Sequence, residues 1–265
     1  MSQPLGLDNV NYQYFARFVQ SLEGWQNLRV LDYGCGSGQL VAVLRQAGID
    51  CVGCDVYYEG GGEPPGEIAR IRDEMLQAGA IRHIPEEGDL PFEAGVFDVI
   101  VSNQVFEHVR DLPVTLARVR RVLKPDGCIL LHFPSREVIR EGHIGIPFAH
   151  WLPPGSTFRT QYALALRRLG LGYFKGDKDP AQWTTDALRW IDEFCYYRPY
   201  RAIRAELDPW FTVEHLELPY IRYRSSGRPV IGAMAAINPL GPLWERLFRR
   251  LAFMALLLRP RQAAP

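Results

Sequence analysis

Residues 30–40 read Val-Leu-Asp-Tyr-Gly-Cys-Gly-Ser-Gly-Gln-Leu, an apolar strand that runs straight into a glycine turn and opens a helix. No other stretch constrains the fold as much. Val30 and Leu31 are strand-like. Gly34, Gly36 and Gly38 lack a Cβ, so the backbone can turn sharply and let a ligand come close. Behind them Leu40, Val41, Val43, Leu44 and Ala47 recur at helical spacing. Such a unit places a nucleotide-type cofactor site at the carboxyl end of a first parallel strand.

Alternation of strand and helix patterns continues through the first half, which predicts a parallel sheet covered on both faces. An amphipathic N-terminal helix carries Val10, Tyr14, Phe15, Phe18, Val19 and Leu22. The strands are 29–33, 50–55 (ending at Asp55), about 80–84, 96–102 and 128–133, with helices at 38–47, 67–78 and 111–123. Residues 59–66 form a Gly- and Pro-rich loop, and Pro125-Asp-Gly127 closes the last of these helices.

After Phe133 the alternation stops. The segment 134–209 is aromatic, with helical patterns near 157–169 and 181–206, and is read as a cap over the ligand end of the sheet. Strand patterns at 211–223 and 228–237, joined by Ser225-Ser226-Gly227, predict a hairpin. Leu240–Leu258 then reads as an amphipathic helix with Leu243, Trp244, Leu247, Leu251 and Leu258 on one face and Arg246, Arg249 and Arg250 toward the other. The expected organisation is therefore a cofactor-binding core over 1–133, a cap over 134–209, a hairpin over 210–238 and a helix with a tail over 239–265.

Length and composition set outer limits. With 265 residues the chain can bury one good core plus an elaboration, and 30 basic against 30 acidic residues argues against a protein built to bind nucleic acid. The N-terminal residues show neither basic nor long apolar character, and no apolar run has the length of a transmembrane helix. Five scattered cysteines suit reduced thiols in a cytoplasm. Cys51 and Cys54 should face opposite sides of a buried strand, and no second pair completes a zinc site.

A dinucleotide fingerprint wants a third glycine where this chain has Gln39; Gly38 makes the pattern G-x-G-x-G instead. Downstream, residues 88–109 read Gly-Asp-Leu-Pro-Phe-Glu-Ala-Gly-Val-Phe-Asp-Val-Ile-Val-Ser-Asn-Gln-Val-Phe-Glu-His-Val, and Arg121-Val-Leu-Lys-Pro-Asp-Gly127 follows. Taken together, these three motifs strongly resemble class I S-adenosylmethionine-dependent methyltransferases of small molecules, lipids, quinones and sugars, over about residues 25–134. The resemblance implies an α/β fold, a Rossmann-like seven-stranded sheet with a final antiparallel hairpin and, here, a helical cap insertion after strand five. It implies that S-adenosylmethionine is the cofactor, with Asp32, Gly34, Cys35, Gly36 and Gly38 at its methionine end and Asp55 on the ribose hydroxyls. It further implies Asp89 on the adenine amino group, Leu90 on the ring, and Asn103 and Gln104 near the sulfonium.

A hydroxyl acceptor of high pKa needs a base or a metal. Two places offer one. Glu107-His108 stands where some relatives of this fold bind magnesium through Glu-x-x-Glu-His, but Gln104 replaces the first carboxylate, so no metal is expected. The second is Glu141-Gly-His143 with His150-Trp151, which makes His143 or His150 the preferred general base. The expected activity is O-methylation of a small or lipid-linked acceptor such as a sugar or quinone. The alternatives are N- or C-methylation of a small molecule, or a catalytically silent cofactor-binding partner or scaffold protein. Residues 240–261 suit a peripheral membrane contact of a cytoplasmic protein, a helix docked on its own sheet, or a homodimer contact.

Overall fold

The computed structural model describes residues 9–56, 66–85, 89–226 and 241–261. Its sheet is built from β1 (Arg29–Tyr33), β2 (Asp50–Asp55), β3 (Ile81–His83), β4 (Phe97–Asn103), β5 (Leu123–Phe133), β6 (Phe211–His215) and β7 (Met254–Pro260), in the order β3-β2-β1-β4-β5-β7-β6. The first five are parallel; β7 runs antiparallel between β5 and β6. The strand order reverses between β1 and β4, which opens a crevice at their carboxyl ends.

The strands are buried on both faces, and alternate residues feed two cores. Val30, Cys51, Val99 and Cys128 meet α1 (Val10–Gln20), α2 (Gln39–Gln46) and α8 (Glu217–Arg224) on one face. Leu31, Cys54, Ile100 and Ile129 meet α4 (Leu112–Val122) and α7 (Tyr200–Leu207) on the other. Cys51 and Cys54 thus sit on opposite faces, as their spacing requires. Helix α3 (Gly66–Gln77) precedes β3.

The Asp111 side chain caps α4 by accepting from the Val114 amide at 3.1 Å. The helix ends at Val122, and β5 begins at once instead of at Cys128. Leu123 pairs with Phe97 and Cys128 with Val99, so Pro125-Asp-Gly127 forms a bulge within the strand. A Cβ on Gly127 would lie 2.8 Å from the Asp98 carbonyl oxygen, which is why the bulge closes only on glycine.

Helices α5 (Thr157–Arg168) and α6 (Pro180–Phe194) build the cap around its own small core of Ile144, Ile146, Ala149, Ala163, Trp183, Leu188 and Ile191. Arg159, only 2% exposed, locks them together through Asp192 at 2.6 Å and the Ala149 carbonyl at 2.8 Å. The single helical pattern over 181–206 is in fact two helices. Pro199 disfavours helix in the residue before it and offers no amide hydrogen, so the chain turns at Cys195–Pro199. Ile203 and Leu207 of α7 then join the sheet core, so the cap proper ends with α6.

The C-terminal third differs most from the sequence reading. Only 211–215 of the first expected hairpin strand is extended, and 217–224 is α8. The second expected strand, 228–237, falls in residues outside those described. The helix expected over Leu240–Leu258 ends at Leu251 (α9, Gly241–Leu251), and Met254–Pro260 supplies the strand that pairs with β6. An apolar run such as Met-Ala-Leu-Leu-Leu satisfies a buried strand as well as a helix, and only the slot between β5 and β6 decides. Leu258 is fully buried there, not on a helix face.

Candidate active site

The turn after β1 is held by main-chain bonds: the Gly34 and Cys35 amides donate to the Cys54 carbonyl at 2.8 and 3.1 Å, and the Gly38 amide to the Cys35 carbonyl at 2.8 Å. Asp55, at the end of β2, accepts from the Gly36 amide at 2.7 Å and so ties the two strand ends together. A cleft of about 320 Å³ opens here, lined by Gly34, Gly36, Asp55, Val56, Gln104 and Val105 with Ile84, His108 and Trp190 further along. Gly34 has φ +76°, and a Cβ on it would lie 2.4 Å from both methyl carbons of Val105. Gly34→Ala should therefore destabilise the fold by about 1–3 kcal/mol. Urea unfolding checks this, and adding Val105→Ala should recover the part of the loss that comes from the clash.

The other cofactor-site expectations separate. Asp32 lies beneath the turn, 2% exposed, with Oδ2 unpartnered among the described residues; burial, then the charge of Asp55, pushes its carboxyl well above the ordinary range. Gly38 faces away from the cleft: its Cβ would strike the Met75 sulfur at 2.3 Å. Cys35 packs into the core of the α1 and α2 face. Asn103 accepts from the Asn11 side chain at 3.2 Å and is not among the lining residues. Asp89 is exposed beside Arg121 at 3.4 Å, and Leu90 is in the core of the α4 face; neither lines the cleft, whose apolar lining includes Val56 and Ile84. Gln104 is at the cleft with φ +58°, its amide nitrogen 3.4 Å from the His132 carbonyl, so its side chain turns to β5 and away from Glu107-His108.

A second cavity of about 390 Å³ lies under the cap, lined by His143, Ile144, Tyr173, Phe174, Trp183 and Trp190, with Lys178 and Asp186 at its polar side. Trp190 belongs to both cavities. At the junction, His108 lines the cleft and His143 the cap cavity, their Nε2 atoms 3.1 Å apart. Each Nδ1 is held from behind. His108 Nδ1 lies 2.7 Å from the Phe194 carbonyl, which can only accept. His143 Nδ1 lies 2.8 Å from Glu141 Oε1.

Glu141 is fully buried and also accepts from the His143 and Ile144 amides at 2.9 and 2.6 Å and from the Tyr197 hydroxyl at 2.5 Å. Burial pushes its carboxyl up, but these bonds outweigh that and hold it below the usual carboxylate range. With both Nδ1 atoms donating, the two Nε2 lone pairs face each other and are placed to share one incoming proton. Burial lowers His108, and the charge of Glu141 works against that shift.

His150 is elsewhere. It is 9% exposed, its Nε2 lies 3.1 Å from the Arg136 carbonyl, its ring lies against Tyr197, and it lines neither cavity. It braces the loop and is not placed as a base. Glu107 is 1% exposed with both oxygens unpartnered among the described residues; burial, then Glu141, drives its carboxyl up to about 8. Trp190 of α6, with Cys195 and Tyr197 just beyond it, completes the site without any distinguishing signal in the sequence beyond an aromatic-rich segment. Cys195 Sγ lies 3.8 Å from the Nδ1 of both histidines, and these three side chains could present one donor each within 4.8 Å to a metal ion.

A methyltransferase-domain family model matches residues 9–194, more than half of the chain. The chain belongs to this methyltransferase family. Among curated relatives, the ubiquinone biosynthesis O-methyltransferase of Azorhizobium caulinodans is 30% identical over 154 residues, covering 56% of this chain and 58% of the relative. That of Roseobacter denitrificans is 32% identical over 169 residues, covering 59% and 63%. The alignments thus span less than two thirds of these relatives' own length. The solved S-adenosylmethionine-dependent methyltransferase of Mesorhizobium loti superposes over 97% of this chain and 100% of its own with a TM-score of 0.53 at 16% identity, a likeness of fold.

The seven-stranded α/β sheet is therefore the class I methyltransferase sheet, S-adenosylmethionine is its cofactor, and the cleft after β1 is the candidate place for it. Its residues fit the group. Gly36 and Gly34 leave a bare backbone wall, the Asp55 carboxylate stands at the end of β2, and Val56 and Ile84 offer an apolar slot for a flat base. Gly38 caps α2 with no side chain, so the amides of the first helical turn face that end of the loop.

Proposed function

We propose that the chain is an S-adenosylmethionine-dependent O-methyltransferase whose acceptor is an aromatic hydroxyl compound held in the cap cavity. The observation that carries this reading is the Glu141–His143–His108 relay at the junction of the two cavities. Bound in the cleft, S-adenosylmethionine supplies an electrophilic methyl group on a sulfonium. The chain's own work is positioning and proton handling. Trp183, Trp190 and Tyr173 can hold an aromatic ring by stacking or edge contacts, which brings one hydroxyl within reach of His143. His143 takes the hydroxyl proton, and the neighbouring Nε2 of His108 shares it. Buried, ionised Glu141 fixes the His143 tautomer and balances the charge that develops.

Amine methylation needs less base assistance than this relay provides, and a silent scaffold needs none. The names of the curated relatives support a quinol-type ring over a sugar, as does a cavity walled mainly by indoles, a phenol and aliphatic groups. Labelled methyl transfer to catechols and short-chain quinols tests the activity; turnover on amines but on none of these would overturn it. The donor half is tested separately. Asp55→Ala should weaken S-adenosylhomocysteine binding about 10–100-fold, because it removes both a charged acceptor and the tie to the Gly36 amide. Titration calorimetry reads this, and an unchanged affinity removes Asp55 from the site.

A further inference from the structure

Helix α9 turns its leucines outward. Leu243, Leu247 and Leu251, at i, i+4 and i+8, are 60, 41 and 58% exposed, while Phe248 faces inward onto Tyr220 of α8 at 5.5 Å between ring centroids. Arg246 and Arg250 are exposed beside that leucine stripe. The remaining charges of the helix point the other way. Arg249 turns in to fully buried Glu217 at 3.4 Å, and Glu245 is half-buried toward the same group. The outward face therefore carries leucine and arginine and no acid.

The stripe has a continuation. The Arg250 carbonyl accepts from the Ile139 amide at 2.7 Å, and the Ile139 carbonyl from the Phe148 amide at 2.7 Å. Phe148, with φ +57°, and Trp151 form an exposed aromatic pair, centroids 4.8 Å apart, with exposed Arg136 and Arg140 nearby in sequence. The same 139–151 loop carries His143 on its inner side.

We propose that the outward face of α9, together with the Phe148–Trp151 corner, docks on an anionic lipid bilayer. Leucines and aromatic rings enter the headgroup boundary while arginines beside them reach the phosphates, the composition of an interfacial helix. The arginines of α9, with no acid on their face, favour negatively charged lipid over a neutral surface, and Glu137 at the corner accepts from the Tyr200 amide at 3.0 Å. A second copy of the chain fits poorly, since a two-fold contact through this face would set arginine against arginine. Docking would lay the loop that holds His143 close to the bilayer, where a lipid-tailed acceptor resides.

Flotation of the full chain with phosphatidylcholine vesicles, with and without phosphatidylglycerol, tests it. The protein should float with the anionic vesicles and stay behind with the neutral ones. Leu243→Asp/Leu247→Asp should abolish flotation while S-adenosylhomocysteine affinity is kept. Arg246→Gln/Arg250→Gln, which leaves the leucines in place, should weaken binding roughly fivefold for each arginine. Brominated lipid should quench tryptophan fluorescence less in Trp151→Phe than in the parent. Equal flotation with both vesicle types, or flotation unchanged in Leu243→Asp/Leu247→Asp, overturns the proposal. So does a dimer mass in light scattering that the same leucine variant halves, which would assign the face to a second copy.

Discussion

Replacing His143 by alanine should lower kcat on a hydroxyl acceptor by about 10²–10⁴-fold, the range for loss of a general base, and leave S-adenosylhomocysteine affinity within about twofold of the parent. His143 lines the acceptor cavity and not the cofactor cleft, so the two readouts should part. His150→Ala serves as the control. It is buried behind Tyr197 and should cost stability rather than proton transfer. The relay also sets the pH dependence. A histidine that already holds a proton cannot take another, so kcat/KM falls on the acid side. Burial lowers His108, which keeps that fall on the low side of the ordinary imidazole value of about 6.5. The charge of Glu141 raises His108, so Glu141→Gln should move the acid limb to still lower pH while reducing the plateau. Equal turnover by His143→Ala and the parent would remove the base. A loss of activity in chelator that zinc restores would instead put a metal where the shared proton is drawn, using the donors of His108, His143 and Cys195.

The second large effect is on stability. Glu107→Gln should stabilise the protein, and by an amount that grows with pH. The folded carboxyl is pushed up to about 8 by burial, with Glu141 adding to it, whereas an unfolded glutamate titrates near 4.3. Between those values the folded state holds a proton that the unfolded state has lost. Stability is therefore full below the unfolded value and falls as pH rises, by up to about 1.4 kcal/mol per unit, through the folded value. Glutamine keeps the shape and does not ionise. Its advantage should be near zero at about pH 4, reach roughly 4 kcal/mol at pH 7 and level off at roughly 5 kcal/mol above pH 8. Urea unfolding of both proteins at acid and at mildly alkaline pH reads this as diverging midpoints; parallel curves would show that Glu107 stays ionised in the fold. A fully buried acid with neither oxygen partnered among the described residues is kept at a cost, beside a relay that must stay dry to hold a proton between two imidazoles.

Strands β1, β2 and β4 were legible because each holds a short apolar run, followed in β1 by glycine and ended in β2 by an aspartate, and such signals are local. The far end of the sheet was not. Met254–Leu258 suits strand and helix equally, and it becomes β7 only because β5 and β6 leave one slot with buried partners on both sides. The same reassignment exposed the α9 stripe, since a helix that stops at Leu251 buries Phe248 and leaves Leu243, Leu247 and Leu251 outside. In the site, Glu141 and His143 stood out as a cluster and do form one, but the partner of His143 is His108, 35 residues earlier, and not His150. No spacing in the chain announces that pairing.

The glycine turn at the head of the cleft was thus determined by sequence alone. A turn of glycines and one aspartate fixes a backbone shape through the absence of Cβ atoms, and that shape is decided within a few residues. The acceptor end was decided by tertiary structure. Its proton relay joins the end of β4, the loop after β5 and the last turn of α6, and its aromatic walls come from the cap. Side chains so far apart in the chain meet only after the cap has packed, and packing depends on the shapes of all the surfaces in contact.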